Sequence, residues 1–463
     1  MARSDRLRPK GTRPAGQGEP PPAATPPTGP EADRPAGAAD APLSMDEVES
    51  TIPSGRAGQP AIPWRRNLYA IAAAQFLAIV GFSLRAPFLP FFIGDLGVTS
   101  AQDQALWSGV INAAGAGVMA ISAPLWGVVA DRRGRRPMLL RAMFASMATV
   151  SLMAFATQPW NLLVLRLVEG ALSGTVTAAT TLVATTSPKA RLGFTLGIVQ
   201  TAIFAGASLG PLAGGLLAGS IGPRPTFLVA GGCLAAAGLI VLFLVRENFI
   251  PAARVAVAAG ISRVGRVRGA VAVLVGGAML TLVLVLFVVR TASMAVQPII
   301  PLFVAELEPS IADPSALAGL VMGVLGFTSA AAAVVFGRLG DRRGHWPILL
   351  GCIVAAGLLY LPMAFVQNAW QLAVLQGLFG VTAGGLIPSA NALIASVTAP
   401  ERRGAMYGLT AGAGSLGGFV GPLAGAAIAA VSGFRAPFLL VGLLLLLLVI
   451  PVVRAMREPR PES

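Results

Sequence analysis

Along this chain apolar residues come in long unbroken blocks rather than at a helical or strand period. From Asn67 onward, twelve such blocks follow one another. They lie at about 67–93, 105–128, 138–157, 160–184, 194–219, 225–245, 273–303, 315–337, 347–366, 370–395, 405–430 and 437–454. About 20 apolar residues cross a ~30 Å hydrocarbon core as a helix. Several of the blocks exceed 25 residues, which implies tilt or helix continuing beyond the lipid tails. Backbone inside a bilayer must satisfy its own hydrogen bonds, so blocks of this length predict helices. The expected fold class is all-α integral membrane, with twelve transmembrane helices.

Composition agrees. Of 463 residues, 55% are hydrophobic and 12% charged, where a soluble domain carries about 25% charged residues. A large water-soluble protein is therefore excluded. The 55 glycines suit close helix packing in lipid. Cys233 and Cys352 both fall inside apolar blocks and offer neither a disulfide framework nor metal-ligand spacing. Residues 1–63, with Pro20-Pro21-Pro22 and Pro26-Pro27, lack any periodicity and read as a disordered tail. That tail has no apolar core of the kind a signal peptide needs.

A net charge of +14 would point to nucleic acid on a soluble protein, but its distribution points elsewhere. One set of loops holds Arg65, Arg66, Arg132, Arg133, Arg135, Arg136, Lys189, Arg191, Arg342, Arg343, Arg402 and Arg403. The segment 246–270 adds Arg246, Arg254, Arg263, Arg266 and Arg268, and the C-terminal end, including the tail 456–463, adds Arg454, Arg457 and Arg460. The alternate set has only Arg224 and Arg435, and carries Asp95, Asp103, Glu306, Glu308 and Asp313. That asymmetry places both termini and the central linker in the cytoplasm. Lipids, not nucleic acid, are the expected partners of these arginines.

The chain also repeats itself. Gly127-Val-Val-Ala-Asp131-Arg132-Arg133-Gly134-Arg135-Arg136-Pro137 returns 210 residues on as Gly337-Arg-Leu-Gly-Asp341-Arg342-Arg343-Gly344-His345-Trp346-Pro347. Gly206-Ala-Ser-Leu-Gly210-Pro211-Leu-Ala-Gly214-Gly215 faces Gly417-Gly-Phe-Val-Gly421-Pro422-Leu-Ala-Gly425-Ala426. Met153-Ala-Phe faces Met363-Ala-Phe, and Pro87-Phe-Leu-Pro90 faces Pro298-Ile-Ile-Pro301. Six spans plus six in the same orientation is the parallel-repeat plan of a secondary transporter, with its site between the halves. The expected bundles are 64–245 and 271–455.

These motifs resemble the major facilitator superfamily, and within it the twelve-span drug:proton antiporters of the tetracycline/multidrug efflux-like branch. The Gly127 loop is similar to the family's signature between spans 2 and 3. Leu163-Val-Leu-Arg166-Leu-Val-Glu169-Gly170 resembles its fourth-span motif, and the Gly206–Gly215 run its span 5 antiporter motif. The resemblance implies proton-coupled export by rocker-switch alternating access from a bacterial-type plasma (inner) membrane. It also implies that the signature loops latch one access state, with Gly127, Asp131, Arg132, Gly134 and Arg135 in one copy and Gly337, Asp341, Arg342 and Gly344 in the other. His345 and Trp346 replace two arginines in the second copy, which predicts a weaker latch. Helical packing alone is the plainer account of Gly206, Gly210, Pro211, Gly214 and Gly215.

Charges within the spans are few. Arg166 and Glu169 stand three apart on one helical face, and Arg85 is placed at a similar depth. A charge at the bilayer centre costs about 2.5–3.5 kcal/mol or more, so these groups must face a cavity or one another. Glu169 is the expected proton carrier, with Asp131 the reserve. Arg290 is expected to bind an anionic group or to reach Glu169. Gln75, Asn112, Gln200 and Gln297 are candidate cavity groups. The chain carries no phosphate-binding loop, metal cluster or nucleophile constellation, so a transporter is expected rather than an enzyme. It would need no cofactor beyond the coupling proton, act on a small-molecule substrate and work as a monomer. Alternatives are an importer or organic-anion carrier of the same fold, and, in another class, a non-transporting receptor or scaffold.

Overall fold

The computed structural model describes residues 64–188, 191–247, 249, 277–397 and 403–457. The expected tail, most of the 246–270 linker and the last six residues lie outside them. Fifteen helices and no strand occur among the described residues. Span 1 is α1 (Trp64–Ser83) with α2 (Leu89–Asp95), span 2 is α3 (Ala101–Arg133) and span 3 is α4 (Arg135–Met153). Span 4 is α5 (Pro159–Leu172) with α6 (Thr175–Thr186), followed by α7 (Leu192–Ile221) and α8 (Pro223–Leu244). The second set runs α9 (Gly277–Val296) with α10 (Ile300–Leu307), α11 (Ser315–Arg343), α12 (His345–Met363), α13 (Ala369–Val397), α14 (Arg403–Ser432) and α15 (Ala436–Arg457).

Among the described residues, ten helical runs are long and apolar enough to cross a membrane. The two spans outside that set are explained by their residues. α1 opens on Arg65 and Arg66 and stops at Ser83, and α4 carries Arg135, Arg136 and Arg141.

Each half packs its own core. Ile71, Phe88, Phe92, Leu139, Phe227 and Leu234 centre the first. Phe303, Ile353, Tyr360, Phe438 and Leu445 centre the second. Phe227 meets Phe88 edge-on at 5.1 Å. The two arginines of the acidic-loop end have structural work there. Arg224 donates to the carbonyls of Ala154 and Ala156 at 3.1 and 3.2 Å, and Arg435 donates to that of Ala364 at 3.0 Å. Each clamps the end of the third span of its bundle, where carbonyls lack helical partners.

The halves meet through glycines. α7 has two faces one residue apart. Gly206, Gly210 and Gly214 lie against α1 and the turn after it, where a Cβ on Gly206 would stand 2.8 Å from the Phe76 carbonyl oxygen and one on Gly214 would strike that of Leu84. Pro211 and Gly215 face α11 of the other half: a Cβ on Gly319 would stand 2.5 Å from the Pro211 carbonyl oxygen, and one on Gly215 would strike that of Ser315. α14 repeats the arrangement. Gly417, Gly421 and Gly425 pack on α9, while the Pro422 carbonyl lies against Gly109 of α3. Backbone-to-backbone approach of this kind needs residues without side chains. Toward the basic-loop end it stops. At Gly127, Gly193, Gly197, Gly337 and Gly412 a Cβ would meet nothing within 4 Å.

Candidate functional site

Between the halves lies a cavity of about 470 Å³. Spans 1, 2 and 4 of the first half line it, facing spans 7 and 11 of the second. Its polar groups are Ser83, Arg85, Ser108, Asn112, Arg166, Ser173, Arg290, Gln297 and Ser415, and its apolar ones include Phe82, Met119 and Met294.

Three of the charges converge. Arg85 grips Glu169 with both ends of its guanidinium, Nη1 to Oε2 and Nη2 to Oε1, each 3.1 Å. Arg166 donates Nη1 to Oε1 at 2.8 Å from one turn away on the same helix. Glu169 is 1% exposed and Arg85 6%. Bidentate guanidinium–carboxylate bonds are the strong, geometrically specific kind. Local structure sets up each partner. Span 1 loosens into a turn at residues 84–88, before the helical α2, because Pro87 has no N–H to continue α1. Arg85 sits in that turn. The Leu84 carbonyl beside it is the one that Gly214 of α7 packs on. Gly115 of α3 makes room for Arg166, since a Cβ there would lie 2.7 Å from Arg166 Nε.

Arg290 lines the opposite wall, from α9, and has neither a hydrogen bond nor an ion pair among the described residues. The expected pairing with Glu169 does not occur in this structure, because Arg85 and Arg166 occupy that carboxylate. Asn112 and Gln297 line the cavity, Asn112 donating to its own helix at Ser108 O. Gln75 does not. It is fully buried and donates to the Thr175 carbonyl at 3.0 Å, so it packs helices rather than facing ligand. Gln200 is exposed and stands apart from the cavity lining, because α7 turns that position away.

The signature loops do not join the halves here. Asp131 pairs with Arg135 at 3.3 Å, and Asp341 lies 3.5 Å from His345, each four residues on in its own loop. Gly134 and Gly344 turn the chain at φ +99 and +88, a region where other residues are strained. Arg132 and Arg342 are exposed. A Cβ on Gly127 or Gly337 would meet nothing within 4 Å, so neither glycine is a point of close helix approach in this structure.

Two contributors escaped the sequence reading. Glu247, just past α8, accepts from the backbone N–H groups of Arg135 and Arg136 at 2.9 and 2.7 Å. It caps the start of α4 and so fixes the first loop. A signal existed: Arg246-Glu247 recurs as Arg457-Glu458. Arg141, a lone charge in span 3, stacks on Trp126 with its guanidinium 3.4 Å from the ring centroid.

The chain matches the family model of the Major Facilitator Superfamily over residues 71–307 and again over 282–463. It is 36% identical over 378 residues to "Multidrug resistance protein MdtG" of Salmonella paratyphi C (strain RKS4594), covering 81% of this chain and 92% of that protein. The MdtG of Salmonella typhimurium (strain LT2) matches to the same extent. Among solved structures, a bacterial homologue of the human lysosomal transporter Spinster, in an inward-facing and occupied conformation, superposes with TM-score 0.70 at 14% identity, covering 87% of this chain and all of that one. The human organic anion transporter MFSD10 superposes with TM-score 0.63 at 20% identity, over 85% of this chain and all of that one. On the family model and the MdtG relatives together, this chain is a multi-pass membrane transporter belonging to the major facilitator superfamily.

Proposed function

We propose that this transporter exports amphipathic small molecules in exchange for protons, with the bundles 64–245 and 271–455 rocking about the cavity between them. The observation that carries the reading is one carboxylate, Glu169, held by arginines of two different spans on the wall of that cavity. Protonation of Glu169 removes the acceptor charge that fixes Arg85 and Arg166 and frees both guanidiniums to turn toward substrate. Loss of the proton restores the triplet. The ionised carboxylate and the substrate thus compete for the same arginines, so substrate binding depends on the protonation state of Glu169, and the direction of transport is set by which loaded states change access. The relatives named for multidrug resistance support drug-like substrates. The basic loops belong in the cytoplasm by their charge. On that orientation the present state is sealed outside by the glycine faces and open inside, and the signature loops latch the opposite state.

One observation favours a particular substrate charge. Three arginines line the cavity, against one carboxylate buried behind two of them, and Arg290 has no partner among the described residues. An anionic group on the substrate would supply one. The membrane potential contributes about 2.3 kcal/mol per charge per 100 mV, and a tenfold gradient costs about 1.4 kcal/mol. One entering proton then holds a neutral substrate about 1.6 decades uphill per 100 mV, and a monovalent anion about 3.3 decades. A monovalent cation gains nothing from the potential.

Purified protein in proteoliposomes with an imposed pH gradient tests both points. Glu169→Gln abolishes uphill transport and leaves downhill exchange. Persistent uphill transport in that variant removes Glu169 from the role and makes Asp131 the next candidate. With neutral, anionic and cationic analogues of one scaffold, the anion is preferred, and Arg290→Gln erases the preference. An unchanged preference in Arg290→Gln refutes the substrate-charge reading.

A further inference from the structure

Span 4 is broken immediately beneath Glu169. α5 ends at Leu172, Ser173 is extended, Gly174 takes φ +124, and α6 begins at Thr175. The last helical bond before the break runs from Ser173 N to Glu169 O, 2.8 Å. A helix interrupted inside a membrane frees carbonyls that only neighbouring side chains can satisfy. Three do so. Ser122 Oγ donates to Gly170 O at 3.2 Å, Trp126 Nε1 to Ala171 O at 2.6 Å and Arg141 Nη2 to Ser173 O at 3.3 Å. Gln75 Nε2 adds a bond at 3.0 Å to Thr175 O, the first carbonyl of α6.

The second half supplies an internal control. Its matching helix, α13, runs unbroken from Ala369 to Val397, although Gly384 stands where Gly174 does. Every donor is missing there. Ala332 replaces Ser122, Phe336 replaces Trp126, Gly351 replaces Arg141 and Leu286 replaces Gln75. Gln376 and Phe379 stand in place of Arg166 and Glu169. Glycine alone therefore does not open the helix. The break, its three donors and the ion triplet occur together in one half and are absent together from the other.

Two donors flank the signature loop. Trp126 immediately precedes Gly127, and Arg141, stacked on that indole, lies in the first turns after the loop. We infer that Trp126 and Arg141 are positioning residues for Glu169: they transmit the state of the Asp131 loop to the broken turn of span 4, on which α5 and its carboxylate pivot. This rests on Glu169 being the proton carrier. The charged groups facing that carboxylate are Arg166 from its own helix and Arg85 from span 1, with Arg290 across the cavity from span 7 and Arg141 below from span 3. Span 2 brings only neutral groups, Asn112 and Ser122.

Trp126→Phe keeps a ring for Arg141, installs the residue of the second half and removes one N–H. Spin labels at Val164→Cys and Thr185→Cys, both exposed, with Cys233 and Cys352 changed to serine, report the α5–α6 distance. In the otherwise native chain, Asp131→Asn shifts the peak of that distance distribution, and with Trp126→Phe the shift is lost. In proteoliposomes, Trp126→Phe moves the pH of half-maximal uphill transport by about half to one unit, the scale of one hydrogen bond's net worth. Ser122→Ala, which deletes a single oxygen, moves it less and serves if the tryptophan variant does not reach the membrane. Label shifts that are equal with and without Trp126, or a native pH midpoint in both variants, overturn the inference. Uphill transport in Glu169→Gln overturns the proton-carrier reading instead, whatever the labels report, because the labels read the link from loop to break without any transport.

Discussion

Gly214 and Gly215 are neighbours that face different halves, so the same small change at each has a different consequence. Alanine at Gly215 strikes the Ser315 carbonyl across the bundle interface, and alanine at Gly214 strikes the Leu84 carbonyl within the first bundle. The clashing atoms are backbone, which cannot rotate away as a side chain end does. Overpacking of this sort costs about 1–3 kcal/mol. Under the proposed rocking of the bundles, the cost at Gly215 falls only on the state closed at the acidic-loop end, since the other state separates these helices. At about 1.4 kcal/mol per tenfold, Gly215→Ala shifts the balance of states roughly 5- to 100-fold toward opening at that end. Spin labels at Ser220→Cys and Ile311→Cys, on the two sides of the interface, read the change as a gain of long distances. Gly214→Ala leaves that distribution native and instead lowers thermal stability and transport, because it displaces the turn that carries Arg85. Long distances in Gly214→Ala, or a native distribution in Gly215→Ala, would refute the assignment of one face to each half.

Three further outcomes follow from the same geometry. Glu169→Gln leaves Arg85 and Arg166 buried without their anion and costs about 3–5 kcal/mol; adding Arg85→Gln recovers part of that loss, measured by thermal unfolding in detergent, and no recovery would mean that the pair is not coupled. Glu247→Ala exposes two N–H groups at the start of α4 and lowers stability by about 1–3 kcal/mol, whereas Glu247→Gln, which keeps an acceptor, lowers it less; equal losses would show that the cap is not what Glu247 supplies. Gly134→Ala, at φ +99, costs about 1–2 kcal/mol, while Gly127→Ala, with open space around it, is near neutral in the basic-end-open state and slows only the reverse change.

Most of the architecture was legible because it rests on blocks and repeats. Membrane blocks announce themselves by length, and a loop that returns 210 residues later announces duplicated bundles. The triplet was also within reach: Arg166 and Glu169 share a helical face, and counting from the ends of spans 1 and 4 brings Arg85 to their depth. What sequence could not supply was direction around a helix axis for single polar residues. Gln75 and Gln200 sit in similar apolar surroundings, yet one is buried against Thr175 and the other turns outward. The break in span 4 was hidden for a related reason. Gly174 and Gly384 read alike, and only the donors of two other helices, Ser122, Trp126 and Arg141, separate a broken helix from a whole one. Arg141 was missed because it lies so near the basic loop that it reads as one more anchoring charge.

The unequal halves have a consequence for how such a protein changes over generations. The glycine faces are needed on both halves at once, so a gate of this design resists piecemeal alteration. The ion triplet is needed on one half only, and its mirror positions hold Val296, Gln376 and Phe379. Three replacements there would give the mirror wall the same charged side chains, while single replacements at Arg85 or Glu169 would strip the present wall of its own. On the proposed exchange and rocking motion, the coupling ratio is therefore a cheap trait to gain or lose, set by a few side chains, whereas the motion is written into backbone contacts and is inherited nearly whole.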